Sequence, residues 1–255
     1  MIESVNISKS FNGRPVLKNI SLLFEQGKTN LVIGESGSGK TVLLKCLVGL
    51  FEIDEGQVLF GNRIFSDAAL GVSEKAKLKD ERQKIRQELG MLFQGGALFD
   101  SMSVLENVMF PMRMFTDMKE PEMLERAHFC LKRVKLSDAA KLQTSELSGG
   151  MKKRTAIARA IALNPQYLLC DEPNSGLDPQ TAVVIDDLIQ EITKEYNITT
   201  IINTHDMNSV MEIGEKVVFI YEGKKWWEGT NREILFTNNR ELNDFVYAYK
   251  SGRGM

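Results

Sequence analysis

Residues 29–48 read TNLVIGESGSGKTVLLKCLV, and this stretch decides the fold. Thr29-Asn30-Leu31-Val32-Ile33 predicts a short buried strand. Val42 to Val48, with apolar residues recurring every three to four, predicts a helix. Between them Gly34, Gly39, Lys40 and Thr41 complete the spacing G-x-x-x-x-G-K-[ST]. Glycines let a backbone wrap closely around phosphate oxygens, and the N–H groups at a helix start favour negative charge. Glu35, Ser36, Gly37 and Ser38 fill out the loop, Lys40 reaches the β/γ-phosphates, and the Thr41 hydroxyl is placed to bind Mg²⁺. The strand–loop–helix context makes this a nucleotide-phosphate cradle rather than a chance glycine turn.

Two further segments carry chemistry. Tyr167-Leu168-Leu169-Cys170-Asp171-Glu172-Pro173 is an apolar run ending in two acids, as a buried parallel strand does. Successive strand residues face opposite sides, so the two acids are expected to do different jobs. Asp171 is the natural metal partner and Glu172 the candidate general base. Leu147-Ser148-Gly149-Gly150-Met151 is a glycine-rich helix start whose N–H groups suit a second face of the same phosphate. A loop of each kind in one chain implies a site completed by another surface. His205 ends the apolar strand Ile198 to Asn203, where active groups collect in parallel sheets. His128 sits in a charged helical stretch and is expected to be solvated.

Composition narrows the class. The chain has 255 residues, 43% hydrophobic and 26% charged, which is ordinary for a globular protein. A net charge of -2 gives no general reason to expect nucleic acid as a partner. Cys46, Cys130 and Cys170 form no close pair and read as core residues of a reducing compartment. The start, Met1-Ile2-Glu3-Ser4, lacks the pattern of a signal peptide, and no apolar run approaches a membrane span.

Along the chain, Asn12-Gly13 and Asp54-Glu55-Gly56 predict hairpin turns, and Glu222-Gly223 precedes a hairpin strand holding Trp226 and Trp227, one of them exposed. Ser73 to Glu88 mixes both charge signs and predicts a solvated helix. Residues 96–164 predict a mostly helical insert, after which strands and helices alternate to about 236. Leu242, Phe245, Val246 and Tyr249 recur at helical spacing and predict one apolar face.

In order and spacing these motifs resemble the ATP-binding subunit of ABC transporters across almost the whole chain. The resemblance implies an α/β fold: a P-loop NTPase (RecA-like) core with an N-terminal antiparallel β-subdomain and an inserted α-helical subdomain. It implies an ATPase domain over 1–236, with 1–94 and 165–236 forming the core and β-subdomain. Residues 95–164 would be the helical subdomain, and 237–255 a C-terminal amphipathic helix or tail. It further implies ATP and Mg²⁺ as cofactors. Phe11 in Lys9-Ser10-Phe11 matches the aromatic that stacks on adenine, and Gln94 matches the glutamine that senses metal and water. Ser148, Gly149, Gly150 and Met151 match the signature, contacting the nucleotide of a second chain; Asp178 lies in the D-loop, and His205 holds the γ-phosphate. Thr41, Gln94 and Asp171 would hold the metal, and Glu172, His205 and Gln94 would serve catalysis. Met151 departs from the commoner glutamine. The partners implied are a second copy in a head-to-tail homodimer and integral-membrane permease subunits. The place implied is the cytoplasmic face of the inner (plasma) membrane.

The text FQ-GALFDS-VLENV-FP, Phe93 to Pro111, with SGGMKKR later, is similar to the ATPase of Mla-type phospholipid transporters and related Mce-linked systems. That likeness implies Mce-type lipid-binding and small regulatory subunits as further partners. Seven of twelve methionines fall between Met91 and Met123, as either core filling or an adaptable docking groove, and Met109 and Met112 are the expected contacts with a membrane subunit. The competing readings are a transporter ATPase for another substrate class, a soluble ABC ATPase of translation or DNA repair, and a P-loop kinase. The chain has one ATPase unit and no long heptad run, which disfavours the second. LSGGM and the His205 element disfavour the third.

Overall fold

A computed structural model describes residues 1–251, with side chains described through Tyr247. The chain divides into two compact units, residues 1–86 with 199–255, and residues 87–198.

The first unit opens with β1 (Ile2–Phe11) and β2 (Arg14–Phe24), joined by a turn in which Asn12 and Gly13 have φ of 50° and 76°. Two positive φ values define the tight turn that matches strand twist, so the hairpin forms as the sequence predicts. Next come β3 (Thr29–Ile33), α1 (Lys40–Leu47), β4 (Glu55–Phe60), β5 (Arg63–Asp67), α2 (Val72–Lys77) and α3 (Lys79–Gln87). Strands β2-β1-β4-β5 form an antiparallel sheet. The hairpin turn expected at Asp54–Gly56 does not occur. Gly56, at φ 85°, instead lies inside β4 beside the register shift between Val5 and Ser8, where a Cβ would come within 2.3 Å of the Val5 carbonyl. The Asp54 carboxylate is taken by Lys9 Nζ and Ser10 N, each at 2.6 Å. The charged stretch 73–88 is two helices interrupted at Leu78, with Ile85 as its buried anchor.

The second unit contains β6 (Leu89–Leu92), α4 (Val104–Phe115), α5 (Glu120–Arg133), α6 (Gly149–Ala160), β7 (Tyr167–Asp171) and α7 (Pro179–Glu195). β6 and β7 run parallel, Leu89 opposite Tyr167 through Leu92 opposite Cys170. Ser103 and Glu106 form a reciprocal cap at the start of α4. Met109, Met112 and Met123 are buried, Met109 and Met112 essentially completely. The expectation that Met109 and Met112 face a membrane subunit is therefore overturned. They lie on the inward face of α4, and only Met114 of the seven is strongly exposed.

The chain returns to the first unit through β8 (Thr199–Asn203), α8 (Met207–Ile213), β9 (Lys216–Tyr221), β10 (Lys224–Gly229) and α9 (Arg240–Ser251). β3 lies between β8 and β9, parallel to both, and β10 closes the edge antiparallel to β9. Every residue of β3 and β8 is buried, as a strand covered on both faces requires. Each Leu, Ile or Val so placed contributes about 1.5–3 kcal/mol. Glu222 and Gly223, at φ 47° and 76°, turn β9 into β10. Trp226 is the exposed tryptophan, and its Nε1 donates to Glu241 at 3.0 Å. Leu242 and Val246 bury the inner face of α9, and Phe245 packs on Phe219 at 5.5 Å between ring centroids. Tyr249 lies outside the described side chains.

All three cysteines are buried. Burial pushes the Cys46 thiol up to about 12, Cys130 up to about 11, and Cys170 well above the ordinary range. The thiolate is the reactive form, so the native protein should take up no iodoacetamide at pH 8 while the denatured protein is labelled at all three positions. Intact-mass spectrometry checks this, and fast labelling of the native chain would contradict it.

Candidate functional site

In the first unit the loop 34–39 leaves β3 and enters α1, whose first residue is Lys40. Gly34 has φ 149°, and a Cβ there would lie 2.3 Å from the Ile220 carbonyl and 2.8 Å from Ser38 Oγ. Only glycine fits this approach between the loop and β9. Gly37 and Gly39 also take positive φ, so the loop wraps and exposes N–H groups along its inner side. Lys40 is buried, and its Nζ donates to the carbonyls of Gly34 at 2.8 Å and Glu35 at 3.0 Å. Ser38 Oγ is buried without a hydrogen-bond partner, a polar atom aimed into the loop. A cradle closed to Cβ atoms, an ammonium at its base and an unsatisfied hydroxyl fit a phosphate chain. Thr41 follows Lys40 in the first turn of α1.

His205 and Phe11 belong to the same unit. The chain leaves β8 through Thr204, whose N–H donates to Val32 O at 3.1 Å. Asp206 caps α8 by accepting from Asn208 N at 2.9 Å. Between these two anchors the His205 side chain is exposed. Phe11 ends β1 with its ring 38% exposed, edge-on to Phe51 at 5.2 Å, with Lys9 Nζ 5.4 Å from its centroid.

The second unit gathers Gln94, the signature segment, Asp171, Glu172 and Asp178. Gln94 is exposed just past β6, and Asp171 is the buried last residue of β7. Glu172 departs from the sequence expectation. It lies beyond the strand at φ 50°, so a left-handed residue, not strand alternation, separates its direction from that of Asp171. Such a conformation in a non-glycine residue costs about 1–3 kcal/mol and persists only when its surroundings fix it. Ser175 N donates to the Glu172 carbonyl at 3.1 Å. Lys153 Nζ also donates to that carbonyl, at 3.3 Å.

Ser148 caps α6, accepting from Met151 N at 3.3 Å, which leaves the earlier N–H groups of that helix open. Ser148 and Gly149 are exposed, and Gly150 and Met151 are half-buried. A Cβ on Gly150 would lie 2.7 Å from Thr181 Cγ2, so the helix start and α7 pack too closely for a side chain. Asp178 caps α7, accepting from Thr181 N at 3.0 Å and Thr181 Oγ1 at 2.5 Å. The Thr181 hydroxyl holds its carboxyl below the usual range.

Three residues of this unit escape the sequence reading. Lys153 is buried on α6, and burial pushes its ammonium pKa down against the pull of nearby anionic groups, Asp171 and Glu172 among them. Arg159 reaches back to the carbonyls of Ala97 and Gly96, both at 2.7 Å. Asn107 is fully buried; its Oδ1 accepts from Phe99 N at 2.8 Å, and its Nδ2 donates to the carbonyls of Phe99, Met102 and Ser103. The only sequence signal for Lys153 is a basic residue on the apolar face of a helix. Arg159 lines a cleft of about 440 Å³ together with Met91, Phe99, Phe110, Pro111 and Phe115 among others. No group of His, Cys, Asp and Glu among the described residues is arranged to hold a metal by itself.

The sequence profile of the ABC transporter family matches residues 17–175. The intermembrane phospholipid transport ATP-binding protein MlaF of Haemophilus influenzae is 35% identical over 253 residues, 99% of this chain and 92% of that protein. The methionine import ATP-binding protein MetN of Clostridioides difficile is 37% identical over 246 residues, 96% of this chain and 74% of that protein. Among solved structures, the dimeric bacterial ABC transporter cassette MJ0796 aligns with a TM-score of 0.79 at 32% identity, covering 91% of this chain and 99% of that one. Its dimeric post-hydrolysis state, bound to ADP and Pi, aligns with the same score.

Proposed function

The chain belongs to the ABC transporter family as an ATP-binding, ATP-hydrolysing subunit, and on that premise we propose that it powers phospholipid transport through an integral-membrane permease. The observation that carries this reading is the apolar cleft built from the segment 89–115 together with Arg159, Ala160 and Leu163. Five of its lining residues, Phe93, Ala97, Phe99, Phe110 and Pro111, lie in the stretch Phe93 to Pro111 that is similar to Mla-type ATPases. The likeness to MlaF over nearly its full length supports the same substrate class.

The roles proposed follow the motifs. Gly34 to Thr41 cradle the phosphates of ATP, with Phe11 on the adenine. Thr41, Gln94 and Asp171 are the proposed Mg²⁺ ligands, and the metal would neutralise charge on the β- and γ-phosphate oxygens. Glu172 accepts a proton from the attacking water, His205 holds the γ-phosphate, and Gln94 senses metal and water. Residues 95–164 act as the helical subdomain that presents Ser148 to Met151 and Asp178 to a second copy, giving two shared ATP sites per head-to-tail homodimer. The dimeric state of the MJ0796 cassette supports that arrangement. The proposed place is the cytoplasmic face of the inner membrane, and no helix among the described residues is long and apolar enough to cross a membrane itself.

Affinity purification from detergent-solubilised membranes, with identification of partners, tests the reading. A permease accompanied by an Mce-type lipid-binding subunit and small regulatory subunits is expected. A permease with an amino-acid-binding partner would move the assignment to methionine-type import, which the likeness to MetN favours as the second reading. Recovery of ribosomes or repair proteins alone would overturn transport. Phe115 is 51% exposed at the cleft, so Phe115→Glu should abolish co-purification with the permease while leaving ATP affinity within about twofold. The variant places a charge where apolar burial of one large side chain is worth about 1.5–3 kcal/mol. Retained complex formation would remove the cleft from the docking surface.

A further inference from the structure

Helix α6 carries a second device besides its glycine-rich start. Lys153 is 6% exposed, yet its hydrogen-bond partners are all neutral. Its Nζ donates to the main-chain carbonyl of Gln94, to the Glu172 carbonyl at 3.3 Å and to Ser175 Oγ at 3.2 Å. An ammonium has three donors and no acceptor, so three acceptors from three separate segments satisfy it. Ser175 closes the network, its hydroxyl donating to Gln94 O at 3.4 Å and its N–H to Glu172 O at 3.1 Å. Six residues further along the same helix, Arg159 holds the carbonyls of Gly96 and Ala97, each at 2.7 Å. One rigid helix thus grips the segment 94–97 at both ends. Ala97 and Arg159 face the apolar cleft, whereas Gln94 O shares its donors with the backbone of Glu172.

Burying a cation is costly unless every donor is used, and an apolar or amide side chain at 153 would fill the space without that cost. What neither supplies is one atom bonded at once to the loop after β6, to the residue after β7 and to the serine before α7. We propose that Lys153 is a positioning residue that ties the Gln94–Ala97 segment to the left-handed backbone of Glu172, so that occupancy of the cleft is transmitted to the carboxylate that acts on water. This rests on the reading of Glu172 as general base and of the cleft as the permease dock.

The test uses the full chain in complex with its permease, comparing Lys153→Met and Lys153→Arg with wild type in steady-state ATPase assays. A misplacement of about 1 Å at a reacting group costs on the order of 10²-fold. Lys153→Met should therefore keep KM for ATP within about twofold, lose at least tenfold in kcat, and lose the stimulation that the permease gives. Lys153→Arg, which keeps charge and several donors, should recover part of kcat and of the stimulation. Unchanged kcat and stimulation in Lys153→Met would overturn the proposal. So would a parallel fall of ATP affinity and melting temperature in both variants, because that is the behaviour of a packing residue. If Lys153→Met does not fold, Ser175→Ala carries the test: it removes one arm of the network and leaves the Lys153 ammonium its two carbonyl acceptors. It should lower kcat at constant KM, and a wild-type kcat would equally overturn the proposal. Glu172→Gln in the same assay separates the two levels. Retained turnover there sinks the assignment of the base, whereas a dead Glu172→Gln beside a fully active Lys153→Met sinks only the role of Lys153.

Discussion

Glu172→Gln should lower ATP turnover by about 10²–10⁴-fold, the range for loss of a positioned general base, while ATP binding stays within a few-fold of wild type. The substitution keeps size, shape and the main-chain contacts of the residue. The Glu172 carbonyl would still accept from Ser175 N and Lys153 Nζ, so the left-handed turn at φ 50° is retained. Only the capacity to take a proton is removed. Phosphate release at saturating ATP measures the rate, and equilibrium titration with ATP measures the affinity. A variant that keeps more than a tenth of the wild-type rate would show that another group activates the water. A variant that loses binding as well would mean that Glu172 contributes to the ground state, because uniform loss in KM and kcat is not the mark of a group acting on the transition state alone.

The parts of this architecture that local rules govern were legible in the sequence. The strand 29–33, the loop and the helix from Lys40 follow from an apolar run, a glycine pattern and a helical period, each confined to a few adjacent residues. Asn12-Gly13 turns as its two positive φ values demand. The failures share a different cause. Gly56 was expected in a turn, but its conformation is set by β1, about fifty residues earlier, whose carbonyls at Val5 and Asn6 press against it. Met109 and Met112 carry the same side chain as Met114, yet the inward face of α4 buries the first two and leaves the third exposed. Methionine chemistry alone does not say which side of a helix faces its neighbours. Glu172 continues a strand in sequence but not in space, because the hydrogen bonds from Lys153 and Ser175 that hold its carbonyl come from residues outside β7. For Lys153 no local rule applies at all, since its three partners lie at 94, 172 and 175.

Lys40→Ala should weaken ATP binding by on the order of 10²–10³-fold, about 3–4 kcal/mol at 1.4 kcal/mol per tenfold. Lys40 is buried at the base of the loop, where its ammonium bonds the carbonyls of Gly34 and Glu35. Hydrogen bonds to a charged group are worth about 1.5–3 kcal/mol, and a triphosphate offers that cation anionic oxygens in place of neutral carbonyls. The substitution therefore removes a stronger interaction from the bound state than from the free one, and affinity falls. In the free protein the two carbonyls lose a donor while the cost of burying a cation disappears, so the change in stability should stay within about 1–2 kcal/mol. At about 2–4 °C per kcal/mol for a chain of this size, the ligand-free melting temperature shifts by only a few degrees. Ligand separates the variants far more. ATP at a hundred times its Kd adds about 2.7 kcal/mol to the wild type, whereas the same concentration should leave Lys40→Ala close to its ligand-free melting point. Lys40→Arg sharpens the test, since a planar guanidinium fork cannot reproduce the compact contact of an ammonium inside a closed loop. If Lys40→Arg binds ATP like wild type, positive charge alone suffices at this position. If Lys40→Ala does, the loop is not the phosphate cradle.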